Sequence, residues 1–141
     1  MAINFFSKIN QFSFNSLLYS NIITKIIENH DLVTGEINII AVDKPEILQI
    51  NKSYLSHNYF TDIITFDYCH ENVISGDLFI CIPVIKSNAK KYNKTFNNEL
   101  SRIIIHGILH LIGFNDNTEY QKRVIRREEN RWLKFFSNYI D

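Results

Sequence analysis

The chain has no excess charge of either sign: 15 Lys and Arg stand against 15 Asp and Glu. Bulk charge therefore supplies no attraction to nucleic acid, and any RNA contact needs a local basic patch. Cysteine is scarce. Cys69 and Cys81 cannot build a disulfide framework or a four-thiolate zinc site, so they read as two reduced thiols in a cytosolic protein. Long hydrophobic runs are also missing. The N-terminal stretch has apolar groups at Ile3, Phe5, Phe6, Leu17, Leu18, Ile22 and Ile23, but Ser, Asn, Gln and Lys interrupt them throughout. No segment has the form of a signal peptide or a membrane span. The expectation is a soluble, cytoplasmic protein with no membrane partner.

What is present points to a folded domain. Hydrophobic residues make up 45% of the 141 and aromatic residues 13%, which excludes a disordered chain. That length predicts one domain over residues 1–141, with a core that needs no covalent staples. Asn15–Asn29 has amphipathic helical spacing through Leu18, Ile22, Ile23, Ile26 and Ile27. Glu36–Val42 is short and β-branched, hence a strand. Asp43 caps a helix to about Leu55, with Pro45 in its first turn. Ile63–Phe66 and Asp77–Ile82 form a hairpin with a long connection around His70–Gly76. Pro83 ends the second strand, and Val84–Tyr92 follows as a helix. Further helices are expected over Glu99–Ile112 and Thr118–Phe136, the latter with Thr118 as N-cap. The order αβαββααα predicts an α+β fold, a small mixed sheet covered by helices.

The most specific feature lies in His106-Gly107-Ile108-Leu109-His110-Leu111-Ile112-Gly113-Phe114-Asn115-Asp116. On a helix, residues four apart lie about 40° apart around the axis and about 6 Å along it, so both imidazoles share one face. Gly113 lets the chain reverse and brings Asp116 back toward them. Three protein ligands with a fourth position open is the arrangement of a catalytic zinc site. The helix is apolar on nearly every side, through Ile103, Ile104, Ile105, Ile108, Leu109, Leu111 and Ile112. Polar groups buried in such a helix cost a few kcal/mol, about 1–3 by mutational measures, unless they find partners. Ligation explains them better than chance. Gly107 weakens the helix by roughly 1 kcal/mol, which implies close approach of another segment or a substrate.

The spacing His-x3-His-x2-Gly-x2-Asp overlays the zincin-like pattern of metzincin proteases. Those enzymes have a Glu general base beside the first His, where this chain has Gly107. Their Met-turn is also missing, since the only methionine is Met1. The ligand geometry resembles a zincin while the protease chemistry is absent. A peptidase is disfavoured.

These residues resemble the YbeY family of bacterial rRNA-maturation endoribonucleases. Its signature His-Gly-x-Leu-His-Leu-x-Gly-Tyr-Asp-His is matched by His106, Gly107, Leu109, His110, Leu111 and Gly113, with Phe114 for Tyr. Thr61-Asp62-Ile63-Ile64-Thr65-Phe66 is similar to the family's Thr-Asp-Val-Leu-Ser-Phe. Gly76-Asp77-Leu78-Phe79-Ile80 is similar to its Gly-Asp-Ile strand. The blocks fall in the family's order across about residues 36–135. Two positions depart from the pattern. Asp116 stands where the family's third ligand is usually His, which leaves a weaker Lewis acid. Leu55 stands where the family has an Arg, after Ile50-Asn51-Lys52-Ser53-Tyr54. His57 and Lys52 are the nearest groups that can take over, with a solvated surface role as the alternative for both.

The resemblance implies a single-strand-preferring, metal-dependent endoribonuclease, with one Zn2+ per chain on His106, His110 and Asp116. Nickel and manganese are the other metals such ligands accept. It further implies rRNA as substrate, near the 3′ end of precursor 16S rRNA and in the small ribosomal subunit. Ribosomal proteins or an assembly GTPase would help to present it. No general base is identified. Asp62 and Asp77 are candidates for orienting the ligating imidazoles, against ordinary turn and strand-end roles. Positive charge for RNA comes from Lys86, Lys90, Lys91 and Lys94, or from Lys122, Arg123, Arg126, Arg127, Arg131 and Lys134. In the second group, Glu119, Glu128 and Glu129 favour a salt-bridged, solvated face. The alternative from another class is a non-catalytic, metal-binding ribosome assembly factor. A general hydrolase of small molecules or peptides is more distant.

Overall fold

A short N-terminal strand is where the structure first departs from the sequence reading. In the computed structural model, which describes residues 2–57 and 59–140, β1 (Ala2–Ser7) pairs in parallel with β2 (Val33–Val42). Ile3 and Phe5 of β1 pack on the core, whereas Phe6 is half exposed. That outward Phe blurs the alternation by which a strand is read. After β2 come β3 (Ile63–Asp67) and β4 (Val73–Cys81), antiparallel to each other. β4 also runs parallel to β2, so the sheet is mixed, in the order β1-β2-β4-β3. β4 begins at Val73 and runs through Gly76, which pairs with Asp67. The connection is therefore short and closes on a His70–Val73 bridge, instead of extending to Gly76.

Five helices complete the described chain: α1 (Ser16–Asn29), α2 (Lys44–Leu55), α3 (Ile82–Lys91), α4 (Phe96–Leu111) and α5 (Glu119–Phe135). Four begin on side-chain caps that satisfy otherwise orphaned N–H groups, the first being Asn15 of α1, which accepts from Leu18 N–H at 3.2 Å. Asp43 accepts from Glu46 N–H at 3.0 Å, Thr95 from Asn98 N–H at 3.0 Å and Thr118 from Gln121 N–H at 3.1 Å. The Thr95 cap starts α4 three residues before the expected Glu99. α3 starts at Ile82, directly from β4, and holds Pro83 in its first turn, where a missing N–H costs nothing.

The sheet has two unlike faces. Ile37, Ile39, Leu78 and Ile80 join residues of α1 and α4 in the larger core. Ile40, Val42 and Ile64 alternate to the other face, where Ile47 and Ile50 of α2 cover them. α4 lies inside the larger core, with Ile104, Ile105, Ile108 and Leu109 fully buried. Each such side chain contributes about 1.5–3 kcal/mol of burial, which fixes the helix that carries both histidines. No helix among the described residues is long and apolar enough to cross a membrane.

Candidate metal centre

Close packing sets the orientation of α4. A Cβ on Gly107 would lie 2.7 Å from Leu78 Cδ2 and 2.8 Å from Ile63 Cδ1, so glycine lets the helix settle near β3 and β4 without displacing those side chains. The close approach expected from the sequence is thus by strand side chains. With Gly107 against the sheet, His106 and His110 emerge at the end of α4, with side chains 20% and 27% exposed. The helix ends in bonds from Gly113 N–H to His110 O and from Phe114 N–H to Leu109 O. Gly113 has φ +116°, a conformation that L side chains rarely adopt. This reversal returns Asp116 to the histidines.

The three side chains meet at a point. His106 Nε2 and His110 Nε2 are 3.0 Å apart, and Asp116 Oδ2 is 3.6 Å and 3.3 Å from them. Tetrahedral ligation at about 2.0–2.1 Å requires ligand atoms about 3.3 Å apart. The triangle brackets that value, so His106, His110 and Asp116 are close enough to hold a metal ion.

The imidazole of His106 is oriented by Glu129, a residue the sequence reading placed among solvated ion pairs. Glu129 Oε2 accepts from His106 Nδ1 at 2.5 Å. An ionised carboxylate only accepts, so the proton sits on Nδ1 and the Nε2 lone pair faces the triangle. Glu129 is 1% exposed and also binds Arg102, whose Nη1 donates to Oε1 at 3.1 Å. Arg102 in turn grips buried Glu99 through Nε at 3.1 Å and Nη2 at 2.7 Å. Burial alone would raise the Glu129 carboxyl, but the hydrogen bond and charge of His106, with Arg102, hold it below the usual range. Burial likewise works against the charge on Arg102, and Glu99 and Glu129 reverse it, leaving the guanidinium firmly protonated. The signal for Glu129 was its place in the apolar stripe of α5, four residues after buried Ile125 and three before buried Trp132.

The other candidates separate. Asp62 lines a cavity of about 510 Å³ together with His106, His110, Asp116 and Leu55. Its carboxyl is pushed up by burial, against the opposing pull of His106 and Arg102. Asp77 does not belong with the imidazoles. Leu78 contacts the helix, so its neighbour on the strand points to the opposite face, where Asp77 accepts from Asn38 Nδ2 at 2.9 Å. Asn38 accepts in turn from Asn4 Nδ2 at 3.0 Å, a polar ladder across three strands. His57 is exposed, stacks on Tyr59 and pairs with its hydroxyl at 3.1 Å, outside the residues that line the cavity. Leu55 does line it, so the apolar substitution lies at the site itself.

Comparisons with known proteins show what the chain as a whole is similar to. The family model for Endoribonuclease YbeY matches residues 4–137. An "Endoribonuclease YbeY" of Azobacteroides pseudotrichonymphae is 47% identical over 122 residues, covering 86% of this chain and 88% of the relative. Another, from Christiangramia forsetii, is 41% identical over 135 residues, covering 95% and 94%. The solution structure of TM1509 from Thermotoga maritima superposes with a TM-score of 0.65 at 26% identity, over 98% of this chain and 93% of that one.

Proposed function

The chain belongs to the Endoribonuclease YbeY family, and from that premise we propose that it is a metal-dependent endoribonuclease of ribosomal RNA. The observation that carries this reading is the triangle of His106 Nε2, His110 Nε2 and Asp116 Oδ2, sized for one tetrahedral ion. Two imidazoles and a carboxylate favour Zn2+, one per chain. When bound, the ion supplies a Lewis acid for a phosphate oxygen and for the attacking water.

The remaining work falls to the protein. Glu129 holds His106 in the tautomer that points Nε2 at the site. Asp62 faces the same cavity and is the carboxyl available to take a proton, because burial favours its neutral form. The family resemblance also implies a preference for single-stranded RNA. It directs the activity to precursor 16S rRNA near its 3′ end, in the cytoplasm and on the small ribosomal subunit. With no net charge, the chain relies on ribosomal proteins or an assembly GTPase to present that RNA. The domain spans residues 1–141.

One observation favours a second reading. Leu55 puts an apolar side chain in the cavity where negative charge develops during phosphodiester hydrolysis. A metal-binding assembly factor that does not cut RNA would tolerate it.

The two readings part in one assay of the purified protein: bound metal is quantified, and single-stranded and structured RNA are offered as substrates. His110→Ala should lose both metal and cleavage while remaining folded. Cleavage that survives metal loss overturns the nuclease reading, and loss of folding with the metal supports the structural one. Asp116→His should retain zinc more tightly, and unchanged retention counts against Asp116 as a ligand.

A further inference from the structure

The residues that approach the metal centre along α4 continue past it. Asn98, Arg102, His106 and His110 recur every fourth position and form one slowly turning stripe. Asn98 lies about 12 Å along the axis from His106. At that far end, α5 and the α3–α4 turn enclose a cleft of about 610 Å³.

Its lining is basic. Lys94, Arg102, Arg126 and Lys134 face it against one carboxylate, Glu99, which the fork of Arg102 already engages. Arg126 is partly committed to Glu129 at 3.3 Å. Lys94 and Lys134 have no ion-pair partner among the described residues. These two lysines come from separate basic stretches of the sequence, and only the fold brings them together. Tyr92, 53% exposed, lines the same cleft, and Lys91 Nζ stands 5.4 Å from its ring.

We propose that this cleft is a second binding site, which takes the phosphodiester backbone of an RNA strand about four stacked nucleotides from the metal centre. The inference rests on the nuclease reading for its substrate, though not for its chemistry. Unpaired cations beside an exposed aromatic residue are the combination that binds single strands: lysines neutralise phosphates and the ring stacks a base. An acidic protein segment would use the cations and leave the ring without a purpose. The chain's neutrality makes such a local concentration of charge the means of holding RNA.

The test measures binding of a fluorescein-labelled oligouridylate of about twelve nucleotides to the full chain at several salt concentrations, with 2′-O-methyl groups to slow cutting. Lys94→Ala with Lys134→Ala should weaken binding and reduce the slope of log K against log salt by about 1.4, two phosphates at about 0.7 each. Lys94→Arg with Lys134→Arg should keep the slope. Lys8→Ala with Lys25→Ala, an equal charge change elsewhere, should leave it unaltered. A slope unmoved by the first pair, or moved as much by the last, overturns the proposal, including the case where an acidic protein proves to be the occupant. Cleavage of unmodified RNA by the unaltered chain is scored separately. Its absence alongside a cleft-dependent slope sinks the nuclease reading and leaves the cleft standing.

Discussion

Glu129 and His106, on different helices, share a hydrogen bond of 2.5 Å that decides which imidazole nitrogen is free for a metal. The same carboxylate takes a guanidinium N–H from Arg102, so one buried group serves both the site and the fold.

Removing it should therefore have two separable effects. Glu129→Gln keeps the size and an acceptor but not the charge, and should lower metal affinity by about 10–100-fold in chelator competition. Glu129→Ala leaves Arg102 beside Glu99 alone and should cost about 3–5 kcal/mol in denaturant unfolding, the penalty for breaking a buried pair. Equal metal affinity in the Gln variant would assign Glu129 to stability only.

Asp62 should behave in the opposite sense. Its folded carboxyl is raised above the ordinary 3.8, first by burial, with His106 and Arg102 opposing and Glu99 adding to it. The folded state thus prefers the protonated form. The resulting instability is absent well below pH 3.8, sets in as pH rises through that value and is complete above the raised folded value. Asp62→Asn should stabilise the metal-free protein at neutral pH and not in acid, as read by urea unfolding. RNA cleavage should fall about 10²–10⁴-fold if Asp62 takes the proton. Activity within twofold of the parent excludes that role.

These residues also show what the sequence could convey. The metal triad was legible because four-residue spacing on a helix and a glycine reversal are local geometry. Glu129 lies 23 positions from His106, and its pairing depends on how α5 crosses α4, which no local pattern encodes. Between the two roles open to Asp77, parity decides: one step along β4 separates it from Leu78, and that step turns it away from the imidazoles. β1 was hidden by Phe6, a half-exposed aromatic on the edge strand that breaks the alternation. The helix caps at Asp43 and Thr118 were found because a cap is written in adjacent residues.

Gly107 provides a test of packing. Ala is normally the better helix former by about 1 kcal/mol. Here its methyl would meet Cδ2 of buried Leu78 at 2.7 Å and Cδ1 of partly buried Ile63 at 2.8 Å. Overpacking of that kind costs about 1–3 kcal/mol, so Gly107→Ala should destabilise despite its helix propensity. It should also weaken metal binding by tilting His106. Leu78→Ala in the same background should relieve the clash and restore part of the metal affinity. A more stable Gly107→Ala protein would contradict the close packing.

Leu55 sets the last expectation. It lines the metal cavity with its side of α2 and is 42% exposed, so a longer polar residue fits without entering the core. Leu55→Arg places a permanent cation where the phosphodiester gains negative charge, and its stem can lie along the apolar wall that Leu55 now forms. Stability should change by less than about 0.5 kcal/mol, as for ordinary surface substitutions. Cleavage should rise by on the order of tenfold or more, because a cation aimed at developing charge acts on the transition state. The rise should appear in kcat and vanish when His110→Ala is combined with it. A variant that binds RNA more tightly but cuts no faster would mean that Leu55 limits attraction and not chemistry. No cutting from either protein would return the metal to a structural part in an assembly factor.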